Sequence, residues 1–294
     1  MYIIRASICF LYMRLFFTRL FTFAKIALYY QNRRRYPIKY PLLLSLGFGF
    51  STSKPITAEH VDKNNENLIS KVDEFYKENK MQEIYDTLYE FRECDDANVL
   101  WRLARAARDI AYLTTTNKAD KKKLSYFSYE VIQRALVIDP ENSPACKWMG
   151  IILQDISKEY EGIKALIQNS LKIKEYFEAA VKYNPNDATS CFLVGQWCFY
   201  IAEMGWHERA FASAFFATPP VSSYEEALKW FKSAEDIDPD FYPENQLCLG
   251  KTLLRLGNKA EARHWLEKAA ASKIVYDKDI SAVEEAKRLL KSFK

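Results

Sequence analysis

From about residue 65 to the end of the chain, apolar side chains return every three or four positions. That is the period of one helix face, not the alternation of a strand. Three stretches carry it in a common frame: YFSYEVIQRALVIDPENSPACKWMG (126–150), KIKEYFEAAVKYNPNDATSCFLVG (172–195) and EEALKWFKSAEDIDPDFYPENQLCLG (225–250). Ala135, Ala180 and Ala234 each stand five residues before a proline (Pro140, Pro185, Pro239), and Ile132, Phe177 and Phe231 stand eight before it. Gly150 and Gly195 follow their prolines by ten residues and Gly250 by eleven. Proline cannot continue a helix and restricts the residue before it, so each stretch reads as a helix, an Asp/Asn-Pro turn and a second helix. The small residues mark close crossings, and Ala234 and Gly250 are expected to be buried at one of them.

Upstream, NENLISKVDEFYKENKMQEIYDTLYEFRE (65–93) and ANVLWRLARAARDIAYL (97–113) add amphipathic helices without the full signature. The spacing of small, large and small residues before a closing proline resembles the tetratricopeptide pattern, a helix–turn–helix of about 34 residues. The prolines here are 45 and 54 residues apart. YEGIKALIQNSL and GWHERAFASAFFATPPVSS are therefore expected to lengthen the two intervals. The fold class is all-α: a tetratricopeptide-like α-solenoid of about four helix pairs, with a capping helix over Ser281–Phe293.

Composition agrees, with only 8 glycines and 10 prolines in 294 residues. Charge divides the chain in two. Nine of the 42 Lys and Arg lie in residues 1–58, which contain no acid, so the net charge of +4 becomes −5 over the rest. Residues 1–57 form a basic leader and residues 58–294 the repeat body. In the leader, Arg14, Thr18, Arg19, Thr22 and Lys25 share one side of a helical wheel, and Phe16, Phe17, Leu20, Phe21, Phe23 and Leu28 the other. A basic, acid-free amphipathic helix suits a mitochondrial address, a retained anchor on an anionic membrane surface, or a segment added by an alternative start. No uncharged stretch of it reaches the roughly 18 residues of a membrane span.

Little here suggests reaction chemistry. The histidines (His60, His207, His264) have no partner at i+4, and GFG at 47–49 lacks the Lys-Ser/Thr of a phosphate loop. The alternating Asp236, Asp238 and Asp240 resemble the start of a calcium loop, but Phe241 stands where Gly and Leu247 where Glu would be needed. They read as the turn that closes a repeat. The six scattered cysteines, without a CxxC pair, read as reduced core residues. No enzyme, metal, cofactor or small-molecule substrate is expected.

Recognition is the better expectation. In LWRLARAARDIAYL, Leu103, Ala106, Ala107, Ile110 and Leu113 form one face, and Arg102, Arg105 and Arg108 line the other. Three guanidiniums on one side can hold carboxylates in bidentate fashion. The same row also reads as a solvated face whose charges pair internally with Asp95, Asp96 or Asp109. Four lysines in NKADKKK (117–123) are expected in a loop. The acidic balance of the body argues against nucleic acid.

LWRLARAARD, YEGIKALIQNSLKIKEYFEAAVKYNPNDATS, AEMGWHERAFASAFFATPP and SYEEALKWFKSAEDIDPDFY with LGKTLLRLG closely resemble the regulator of microtubule dynamics proteins, in order over about residues 65–294. The resemblance implies a non-enzymatic helical adaptor that binds microtubules, tubulin or a microtubule-associated protein. Its implied location is the mitochondrion or cytoplasm and the cytoskeleton at spindle and spindle pole. The alternative is an organelle-contact or lipid-binding scaffold that the leader holds at a membrane. Tubulin's acidic tails are the natural candidate for the arginine row.

Overall fold

Asp139, Asn184 and Asp238, which precede the three repeat prolines, share one extended conformation in the computed structural model of the chain, with φ/ψ of −135/92°, −139/89° and −138/92°. Each donates its backbone N–H back to the alanine of the pattern: Ala135, Ala180 or Ala234. The proline after it forces that departure from helical backbone, so the helices end in register.

The structure describes residues 58–205, 209, 210, 213, 220–274 and 277–293. The leader, His207 and most of the GWHERAFASAFFATPPVSS insertion lie outside the described residues. Within the unit Ile56–Lys294 the elements are α1 (Ala58–Lys77), α2 (Met81–Tyr89), α3 (Ala97–Ala111), α4 (Lys118–Ile138), α5 (Ser143–Ile156), α6 (Ile163–Tyr183), α7 (Ala188–Glu203), α8 (Tyr224–Ile237), α9 (Pro243–Arg255), α10 (Lys259–Ala271) and α11 (Asp277–Leu290). A π-helical turn (Ser157–Glu161) joins α5 to α6, and a 3-10 turn (Lys291–Phe293) follows α11. The described residues contain no strand.

Side-chain oxygens of Asp96, Asn117, Asn142, Ser223 and Asn258 accept first-turn N–H groups and set the helix starts. One of these corrects an expectation. The Lys-rich run 117–123 is not a loop: Asn117 caps Ala119 and Asp120, and the lysines form the first turns of α4.

The helices pair as α3/α4, α5/α6, α7/α8 and α9/α10, each pair packing on the next, with α11 against α9 and α10. The crossing residues behave as the pattern predicts, but the glycines meet the helix after them in sequence. A Cβ on Gly150 would overlap the Phe177 ring; on Gly195 it would lie 2.8 Å from Phe231, and on Gly250 2.6 Å from Leu266. Ala234 and Gly250 are buried, as are Ala135 and Ala180. The core is a chain of clusters, one from Val72 to Ile156, one from Leu153 to Leu249 and one around Leu247, Leu266 and Ala286. In a solenoid each repeat needs only its neighbours for burial.

The first interval is lengthened by helix, not by loop. α6 runs for 21 residues, against 14 in α8 and 13 in α10. It starts after Gly162, whose φ of 83° lets the chain turn out of the π-helical segment. The cap α11 starts four residues before the expected Ser281, and its Ala282, Val283 and Ala286 are buried.

Candidate functional site

The first helices of successive pairs run side by side, α3 between α1 and α5, and α7 beside α9. Charge pairs cross this layer at each step. Arg102 on α3 grips Asp73 on α1, Nε to Oδ1 at 2.8 Å and Nη2 to Oδ2 at 2.7 Å. Arg108 reaches the other way, with Nε 2.8 Å from Asp155 Oδ2 on α5 and Nη1 3.1 Å from the adjacent Asp109. Lys147 on α5 meets Asp187, the residue before α7, at 2.7 Å. Arg255 on α9 holds both carboxylate oxygens of Glu203 on α7, at 2.5 and 2.9 Å, and Lys251 meets Glu285 on α11 at 3.2 Å.

Arg105 differs. It lies between Arg102 and Arg108, is only 6% exposed, and stacks on Tyr76 of α1 at 3.6 Å, with the Trp101 ring 5.1 Å away. Its Nε and Nη2 have no hydrogen-bond partner, nor does the buried indole Nε1 of Trp101. Burial lowers the Arg105 pKa, against smaller opposing effects of Tyr76 and Asp109. Arg108 is held above its ordinary value: burial works against the charge, but Asp155 and Asp109 outweigh it.

The expected exposed row is therefore corrected. α3 is buried around most of its circumference, Trp101, Ala104 and Arg105 included, because α1 and α5 cover the side that the sequence assigns to solvent. Arg102 and Arg108 hold carboxylates of their own chain, Asp73 and Asp155. Of the three expected partners only Asp109 pairs with the row, while Asp96 caps α3. Leu113 lies beyond the helix and is 48% exposed. Sequence reasoning missed Tyr76, which stacks on Arg105, and Trp101, which lies under Arg102 and near Arg105. Trp101 was visible one residue before Arg102, but Tyr76 belongs to another helix and carries no local signal.

No cluster of three His, Cys, Asp or Glu that could hold a metal occurs among the described residues. His264 is exposed on α10 against the edge of Trp265. Asp240 takes Gln246 and Lys268 as partners, as a turn residue tied to its own repeat. Cys146, Cys191, Cys198 and Cys248 are buried thiols, whereas Cys94 is only half-buried.

A family model described as regulator of microtubule dynamics protein 1-3 matches residues 68–294. The chain belongs to the regulator of microtubule dynamics family. It is 42% identical over 245 residues to the mouse regulator of microtubule dynamics protein 1, covering 82% of this chain and 80% of the mouse protein. It is 45% identical over 228 residues to the bovine protein of that name, covering 78% and 72%. The fold of this family member is shared with a thermophilic TPR protein from Thermus thermophilus, at a TM-score of 0.52 and 15% identity, covering 76% of this chain and 98% of that one. The family match takes in α3 and the whole charge-paired layer. The family is one of helical-repeat regulators and indicates no catalytic class.

Proposed function

We propose that this chain is a non-enzymatic adaptor that engages microtubules, or a protein bound to them, through its helical repeats. The observation that carries the reading is the match, over four-fifths of both chains, to a relative named as a regulator of microtubule dynamics. The architecture supports it. A layer of parallel helices held by charge pairs offers a rigid, extended surface, and solenoids use such surfaces to hold partners. The acid-free leader adds a mitochondrial address or a contact with an anionic membrane, and the spindle and cytoplasm are the other expected locations.

The test is to add the purified full chain to growing microtubules and follow decoration together with growth and shrinkage rates. Decoration, or altered rates, is expected. An undecorated lattice with unchanged rates would overturn the reading.

A further inference from the structure

Among the described residues, buried side-chain donors without a hydrogen-bond partner gather on α3 and the residue that ends it: Trp101 Nε1, Arg105 Nε and Nη2, and Tyr112 Oη. Buried polar groups in native proteins are nearly always satisfied, so a cluster of unmet donors is the imprint of an absent acceptor. The neighbours say which acceptor. Arg102 and Arg108, one turn to either side, each hold a carboxylate, and the same pairing recurs along the layer at Lys147–Asp187 and Arg255–Glu203. At Arg105, among the described residues, nearby acids act on the charge but no carboxylate accepts from Nε or Nη2.

We propose that Arg105 and the Trp101 indole form an anchor for one carboxylate of an acidic peptide from a partner protein. The proposal rests on the adaptor reading and gives it a contact point. The guanidinium fork presents Nε and Nη2 as a matched pair for the two carboxylate oxygens, and Trp101 adds a third donor. Asp73, Asp109 and Asp155 already balance the three arginines, so a singly charged carboxylate suits the site better than a phosphate dianion. Residues 1–58 contain no Asp or Glu, so the leader offers no carboxylate side chain. Tyr76, stacked on one face of the guanidinium, is 40% exposed, so that side of the site borders solvent. Tyr112 lies seven residues further along, about 10 Å on a helix. An extended peptide spans that in about three residues, so acids at i and i+3 fit the anchor and the Tyr112 hydroxyl.

The test is calorimetry on the full chain with a synthetic hexaglutamate, and with hexaglutamine as its uncharged counterpart. The glutamate peptide is expected to bind and the glutamine peptide not. Arg105→Gln is expected to weaken binding at least about tenfold, since hydrogen bonds to charged groups are the strong ones. Arg105→Lys, which keeps the charge and loses the fork, should recover part of it. If Arg105→Gln does not fold, the wild-type chain still decides: the Arg105 Nε–H and Trp101 indole NMR signals must move on saturation with hexaglutamate. Absent binding, wild-type binding by a folded Arg105→Gln, or unmoved signals would each overturn the proposal. So would binding to phosphatidic acid vesicles, or to inorganic phosphate, in place of the peptide. Loss of the peptide site with microtubule decoration retained removes the anchor and leaves the adaptor. Peptide binding without decoration does the reverse.

Discussion

A Cβ on Gly195 would lie 2.8 Å from the Phe231 ring, whereas one on Gly162 would meet nothing within 4 Å but would force an L side chain to φ 83°. The two alanine substitutions therefore fail for different reasons. Each is expected to cost about 1–3 kcal/mol, the first by overpacking and the second by backbone strain. Thermal unfolding measures both, and Phe231→Leu should relieve Gly195→Ala without helping Gly162→Ala. Equal relief of both would contradict the packing account. Among charges, the hydrogen bond from Arg102 is the main cause that lowers the Asp73 pKa. A depressed carboxylate stabilises the fold above its unfolded value of about 3.9 and loses that contribution as pH falls through the folded value. The stability gap between wild type and Arg102→Gln should thus be constant near neutrality and close in acid, and a gap that widens in acid would contradict it. Burial pushes the Cys146 and Cys198 thiols up to about 11. Near pH 8 only about one in a thousand is thiolate, so alkylation of the native chain should be slow there. Mass spectrometry after a timed pulse of iodoacetamide checks this, and rapid labelling of either would contradict the buried placement.

Element by element, the sequence shows helix ends and crossings well because their signals are local. Proline and the capping Asn or Asp act within two turns, and the glycine marks its crossing by recurring at a fixed distance from the proline, although the ring it admits lies on the next helix. Even the Lys-rich start of α4 is legible: Asn117 stands three residues before Asp120, the arrangement of a helix N-terminus, although a run of lysines reads as a loop on composition alone. The arginine row was legible only in part. Three residues turn a helix by about 300°, so each arginine is rotated about 60° from the last, and Arg102 and Arg108 diverge by about 120°. One side chain therefore reaches α1 and the other α5, and Arg105 is left between them. Which acid waits on each neighbour depends on contacts 29 and 47 residues away, beyond any local pattern. The pairs should differ in strength with exposure. A double-mutant cycle on Lys147–Asp187, whose side chains are 18% and 17% exposed, should give a coupling of about 1.5–3 kcal/mol. The exposed Arg263–Glu267 pair within α10 should give about 0–0.5 kcal/mol. Equal couplings would remove the case for a tied first-helix layer.

For the molecule as a whole, the repeat body and the acid-free leader are chemically distinct, and the family match begins at residue 68. A chain starting at Thr57 is expected to melt within a degree or two of the full chain and to show the same helical circular dichroism. An insoluble or unfolded product would contradict the division. The repeat body is also the part whose relatives are named for microtubule regulation, so it should carry the binding. Exposed charge contacts weaken as the screening length shortens to about 8 Å at physiological ionic strength, and an adaptor for an acidic surface should show that dependence. The most direct measurement is cosedimentation of the full chain with stabilised microtubules, read as a binding isotherm at low and at physiological salt. Saturable binding that weakens with salt is the predicted result. A chain that remains in the supernatant at both salts would contradict the account.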